Sequence, residues 1–228
     1  MSLISQNIVD VLARIDRATA MAHRTRPPQL LAVSKKQTAV ILRTAYQAGQ
    51  TAFGENYLQE AIDKQDELTD CAIEWHFIGP IQSNKTRAIA ERFSWVHSVS
   101  RIKVAQRLSS QRPESQPPLN VCLQVNLDNE SNKEGITLAE IPVLAEKILS
   151  LPQLNLRGLM AIPAPRNTVQ EQQESFQRLT HALSKLQQQL PQASLDTLSM
   201  GMSADLEAAI AAGATIVRIG TALFGQRK

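Results

Sequence analysis

Two adjacent lysines, Lys35 and Lys36, follow the apolar run 30–33 (LLAV) with only Ser34 between. An ammonium at the edge of a buried strand is costly to desolvate, and that cost makes the neutral amine accessible. A neutral amine is what condensation with an aldehyde requires. Taken alone, such a lysine could equally cap its strand and point to water. Two glycine-hydroxyl segments bear on the choice. Ser199-Met200-Gly201-Met202-Ser203 leads into a helical stretch and Gly220-Thr221 opens another, so both offer hydroxyls and backbone N–H groups to an anion. Each could also be a plain helix cap. Arg218, two residues before Gly220, faces either inward or outward from its strand; inward, it needs an anion or an acceptor such as a ring nitrogen. Asn56, after Gly54-Glu55, and His76, within WHFIG, are further polar groups near apolar runs, as are Gln82 to Lys85 and Asn126.

For these groups to meet, the chain must bring several strand ends to one face. Ile4, Ile8, Leu12 and Ile15 share one helical face, which places an opening helix at about 3–22, closed by Pro27 and Pro28. Apolar runs at 30–33, 52–54, 75–78, 95–99, 119–125, 156–162, 195–200 and 216–219 then read as eight strands. Helical stretches follow them at 40–48, 57–68, 85–92, 102–110, 138–149, 169–190, 204–212 and 222–224. Pro142 is tolerable only near a first turn. The glutamine-rich 169–190 stretch reads as a solvated outer helix. Such alternation means parallel strands with right-handed crossovers. The expected fold is α/β, a (β/α)8 barrel over 1–228 as one domain. A doubly wound open sheet is the alternative, since periodicity does not show closure. In the barrel, binding groups lie at the C-terminal strand ends, with phosphate after strands seven and eight. The two glycine-hydroxyl segments fall there, opposite Lys35.

Composition narrows the class. Hydrophobic residues are 43% and charged residues 20% of 228, as expected of a soluble globular chain. A net charge of +3, with no basic run interleaved with aromatics, gives no sign of nucleic-acid binding. No apolar run approaches the ~20 residues of a membrane span. Cys71 and Cys122 form no metal or redox pattern and read as reduced thiols of a cytoplasmic protein.

The segments LLAVSKKQ, AFGENYLQEA, WHFIGPIQSNK, VCLQVN, RGLMAIP, LSMGMSADLEAAI and VRIGTALFG resemble, in this order, the YggS/PROSC family of pyridoxal-phosphate-binding homeostasis proteins. The resemblance runs from about Ile8 to Gly225 and implies a fold similar to the barrel domain of alanine racemase. It implies that pyridoxal 5′-phosphate is carried as a Schiff base on the lysine directly after the serine, Lys35, with Lys36 the fallback. It further implies that Ser199 and Thr221, with the backbone around Met202, Ser203 and Gly220, hold the phosphate. Arg218 would face the pyridine nitrogen, and Asn56 and His76 would line the ring.

An arginine there leaves the pyridine unprotonated and a poorer electron sink. Enzymatic relatives of the family place a second base, a tyrosine, on a separate β domain, which this sequence, ending at Lys228, is expected to lack. The resulting expectation is a monomeric carrier and regulator of cofactor and amino-acid/keto-acid pools, without catalytic turnover. It would meet free amino acids and, transiently, apo-enzymes. A weak racemase using water or Tyr57 is one alternative; a barrel aldolase with a lysine but no cofactor is another.

Overall fold

Strand and helix alternate until the sheet meets itself. The strands β1 (Gln29–Val33), β2 (Ala52–Glu55), β3 (Glu74–Phe77), β4 (Trp95–Val99), β5 (Leu119–Val125), β6 (Leu154–Ala161), β7 (Thr197–Ser199) and β8 (Ile216–Ile219) form a closed parallel barrel in chain order. Pairing of β1 with β8, including Leu31 opposite Arg218, leaves the sheet without an edge, so the open-sheet alternative falls away. The computed structural model describes residues 2–225. No helix among them is long and apolar enough to cross a membrane.

The helices α2 (Ala39–Gln47), α3 (Leu58–Glu67), α4 (Thr86–Arg92), α5 (Ile102–Gln111), α6 (Ile141–Leu149), α7 (Val169–Gln189), α8 (Leu206–Ala211) and α9 (Thr221–Phe224) surround the barrel. Strand residues alternate between two environments. Phe53, Val96, Leu123, Leu159 and Val217 point outward and share one core with Ile89, Leu108, Ile148, Phe176 and Leu206 of the helices. The inward positions hold two small apolar groups, Leu31–Ala52–Ile216 and Trp95–Cys122–Met160. Between these groups lie His76, His97, Ser199 and Arg218, all buried.

Helix α1 (Leu3–Met21) starts from the Ser2 hydroxyl, which accepts from the Ser5 N–H, and buries Ile8, Val11 and Ile15. It also secures the last segments of the chain. Asn7 Nδ2 donates to the Leu223 carbonyl at 2.8 Å, and Arg14 Nη1 donates to the Ser203 carbonyl at 2.9 Å.

Element limits depart from the sequence expectation where side chains compete for backbone groups. The 138–149 stretch opens as a tight turn, Leu138–Glu140, capped reciprocally by Thr137 and Glu140, before α6 begins with Pro142 in its first turn. Strand β7 keeps only three residues, and α8 starts at Leu206 rather than 204, because Asp205 Oδ1 accepts the Met202 N–H at 2.6 Å and holds the intervening turn.

Strand β6 can approach β7 only because residue 158 has no side chain. A Cβ on Gly158 would lie 1.9 Å from the Thr197 carbonyl oxygen. Gly158→Ala should therefore cost about 3 kcal/mol through overpacking. In a domain of this size that lowers the melting temperature by roughly 6–12 °C, measurable by thermal unfolding.

Candidate functional site

A cleft of about 280 Å³ opens at the C-terminal mouth of the barrel. Its wall contains Lys35 after β1, Asn56 after β2, Arg218 on β8, Gly220 and Thr221 beyond it, and Met202 and Ser203 after β7. Seven residues singled out in the sequence thus meet around one space. Ile78, Met160 and Ile162 supply its apolar surface, and an adjoining cleft of about 310 Å³ shares them. No chemical signal marked those three, since in sequence they read only as strand residues.

The backbone separates the two lysines. Lys35 lies on the cleft wall, whereas Lys36 is exposed and adopts a left-handed φ of 64°. The Lys36 N–H donates to the Glu60 carboxylate, which draws the chain away from the barrel mouth. Strand β1 is held firmly just before this turn. Buried Lys64 donates to the Ser34 carbonyl at 2.8 Å, to Glu55 at 2.7 Å and to Glu60 at 2.5 Å, while Ser34 Oγ donates to Glu55 at 2.6 Å. Burial raises the Glu55 pKa, and Lys64 and Ser34 oppose that rise. A buried pair of this kind gives specificity of placement more than net stability.

Asn56 reaches the cleft because Gly79 lets the two loops touch; a Cβ at residue 79 would stand 2.1 Å from the Asn56 carbonyl oxygen. The Asn56 Oδ1 atom is buried and has no hydrogen-bond partner among the described residues. A buried acceptor left in this way suits a ligand donor or a water.

Arg218 points inward and is 4% exposed. Its Nη1 donates to the Ser199 carbonyl at 2.5 Å and to Ser199 Oγ at 2.8 Å, and its Nη2 donates to the Ala161 carbonyl at 2.9 Å. Three of the five guanidinium N–H groups are thereby fixed. Burial pulls its pKa down to about 10, so it remains a cation at neutral pH.

Two expected site residues are placed differently, and a third has its backbone donor occupied. Ser199 is fully buried, and its hydroxyl is engaged with Arg218 and with His97 Nδ1 at 2.7 Å, so it supports the arginine instead of lining an anion cup. His76 is also fully buried; it bonds His97 at 2.9 Å and Glu74 at 2.7 Å and stacks on Trp95, away from the cleft wall. Met202 lines the cleft, but its N–H is taken by Asp205. The first two are inward residues below a strand end, so they face the barrel interior and not its mouth. Asp205, an acid with no chemical signal of its own in the sequence, holds that N–H, and burial raises its pKa.

The sequence signature of the alanine racemase N-terminal domain matches residues 9–228. A pyridoxal phosphate homeostasis protein of Pseudomonas aeruginosa is 58% identical over 228 residues, covering 100% of this chain and 97% of that protein. The chain belongs to the pyridoxal phosphate homeostasis protein family. PipY of Synechococcus elongatus, solved with PLP bound, superposes with a TM-score of 0.86 at 39% identity, over 97% of this chain and 100% of that one. Alanine racemase from Corynebacterium glutamicum shares the fold, with a TM-score of 0.68 at 17% identity over 98% of this chain and 60% of the racemase.

The buried histidines of this family member give its stability a pH dependence. Burial holds the pKa of His97 well below the ordinary 6.5, and burial lowers that of His76 despite Glu74. The folded protein keeps both neutral while the unfolded chain takes up protons as pH falls through that value. The contribution of these rings to stability is therefore complete above about pH 7 and lost as pH falls below the unfolded value, by on the order of 1 kcal/mol per pH unit for His97 and less for His76, where Glu74 opposes the shift. Denaturant unfolding at about pH 7.5 and 5.5 should show this loss in the wild type and a smaller one in His97→Gln.

Proposed function

We propose that the protein binds pyridoxal 5′-phosphate through Lys35 and serves cofactor homeostasis as a carrier, without turning over amino acids. The observation that carries the reading is the meeting of an amine, a fixed guanidinium and hydroxyl-bearing loops around one cleft. The groups present fit this cofactor. Lys35 suits its aldehyde, and Ser203 and Thr221, with the backbone at Gly220, suit its phosphate. Arg218 has two N–H groups without a protein acceptor among the described residues, enough for a ring nitrogen. Asn56 Oδ1 lacks a partner among the described residues, and Ile78, Met160 and Ile162 offer apolar contact to a ring.

When bound, the cofactor supplies an aldehyde that condenses with amines and a ring that withdraws electrons. The residues of this chain restrict the chemistry open to the site. Arg218 does not release its proton, so it orients the ring without protonating it. Among the described residues on the wall shared with Lys35, Arg218 is the only other titratable side chain. Two-base racemisation needs a second group that exchanges protons opposite Lys35; a guanidinium does not, and Lys133 and Glu134 line the adjoining cleft and not the wall that holds Lys35. Tyr57 is half exposed and lines neither cleft. Such a site suits holding and handing over the cofactor, to apo-enzymes or to free amino acids.

Borohydride reduction of the cofactor-loaded protein, followed by peptide mapping, should place the label on Lys35. Lys35→Ala should lose the visible absorption band and Lys36→Ala should keep it; a wild-type label on Lys36 overturns the assignment. Turnover of alanine or another amino acid at ~1 per second or faster would replace the carrier reading with an enzymatic one.

The phosphate end gives a separate expectation. Ser203→Ala combined with Thr221→Ala should weaken retention of pyridoxal 5′-phosphate by about 1.5–3 kcal/mol per lost bond. Unphosphorylated pyridoxal should be affected far less, as measured by equilibrium dialysis of both ligands.

A further inference from the structure

Four hydrogen bonds run through the barrel interior from one end towards the other. Arg218 Nη1 lies 2.8 Å from Ser199 Oγ, which lies 2.7 Å from His97 Nδ1. His97 Nε2 lies 2.9 Å from His76 Nδ1, and His76 Nε2 lies 2.7 Å from Glu74 Oε1. Arg218 lines the cleft at the C-terminal mouth, whereas Glu74 is the first residue of β3, at the opposite mouth, with its side chain 42% exposed. His76, His97 and Ser199 are each fully buried.

The two ends determine every proton between them. A guanidinium can only donate and an ionised carboxylate can only accept. Glu74 is ionised at neutral pH, since its hydrogen bond with His76 holds its pKa down to about 2. His76 must then donate from Nε2, and, being neutral, accept at Nδ1. His97 in turn donates from Nε2 and accepts at Nδ1, so the Ser199 hydroxyl donates to His97. The lone pairs of Ser199 Oγ are left to accept from Arg218. Reversing the chain would aim the serine proton at a group that cannot accept it, so one arrangement survives. The surroundings agree with neutral rings. Trp95 stacks on His76 at 5.5 Å with Arg157 over the indole at 4.9 Å, and Gln29 donates to Glu74 at 3.1 Å. Arg218 and the neighbouring ring both disfavour a charge on His97, and Asp205 acts on Arg218 from the β7–α8 turn.

We propose that Glu74, His76, His97 and Ser199 act as one positioning chain, in which an acceptor at the far mouth of the barrel sets the orientation of Arg218 towards a bound cofactor ring. The effect on cofactor rests on the function proposed above, whereas the effect on Arg218 does not. Glu74 is the place to cut the chain, because it stands at the surface and its loss leaves the core packing intact. In Glu74→Leu the terminal acceptor is gone and His76 is free to change tautomer. In Glu74→Gln an amide oxygen can still accept from His76 Nε2.

Nitrogen-15 NMR of the ligand-free protein should find both buried rings neutral with the proton on Nε2, and a resolved Arg218 side-chain resonance. Glu74→Leu should alter both ring patterns and shift Arg218, and Glu74→Gln should restore all three. In loaded protein, Glu74→Leu should release pyridoxal 5′-phosphate about tenfold faster or more and shift its absorption maximum, with Glu74→Gln close to wild type. A wild-type ring protonated on Nδ1, or an Arg218 signal indifferent to Glu74→Leu, overturns the chain. So does a Glu74→Gln protein that keeps both tautomers yet releases the cofactor as fast as Glu74→Leu. A wild type that takes up no cofactor at all refutes the proposed function instead, and the Arg218 resonance still decides the chain.

Discussion

Arg218 is a cation inside a closed sheet, and much of the surrounding arrangement follows from the need to solvate it with protein groups. No carboxylate lies within ion-pair reach of it among the described residues. Desolvating a guanidinium is costly unless its donors are met. Two main-chain carbonyls and a serine hydroxyl meet them, and those acceptors come from the ends of β6 and β7. The short β7 and the glycine that admits it beside β6 are therefore part of the same solution. They bring Ser199 and Ala161 to one point with no side chain between them and the arginine.

The mouth of the barrel is fixed by a second, separate device. Lys64 reaches under the end of β1 and ties the Ser34 carbonyl to two carboxylates. From that anchored carbonyl the chain turns, Lys35 stays on the cleft wall and Lys36 leaves it. Opposite, Arg14 of α1 grips the Ser203 carbonyl while its guanidinium pairs with Glu207 at 2.5 Å. An opening helix whose sequence reads as simple packing thus also steadies one rim of the cleft.

How much of this was legible in the sequence depended on the range of the interaction. The alternation of apolar runs and helical stretches located all eight strands, because burial on both faces of a parallel strand writes itself into consecutive residues. The residues that surround the cleft were legible as motifs at strand ends. The direction of Arg218 was not, since a strand apolar on both faces carries no parity signal, and closure of the barrel supplied it. Ser199 and His76 misled for a related reason. Both lie a few residues before motif positions that do reach the cleft, but as inward-facing strand residues they sit inside the barrel, below its mouth. Glu74 and His97 drew no notice because their meaning comes only from partners 2 and 102 positions away.

The same closed interior holds Cys122, packed with Trp95 and Met160 and fully buried. Its pKa is pushed up to about 12 by burial, so the thiol is un-ionised in the native barrel. Thiol reactivity requires the thiolate and an approach path, and here neither exists until strands separate. Cys71 lies half-buried on the outer surface, where a reagent reaches it without any strand separating. One sulphur is thus exposed to ordinary encounters, while the other reports on the barrel: with a reagent fast enough to outpace reclosing, the rate at which it becomes modified is the rate at which the sheet comes apart.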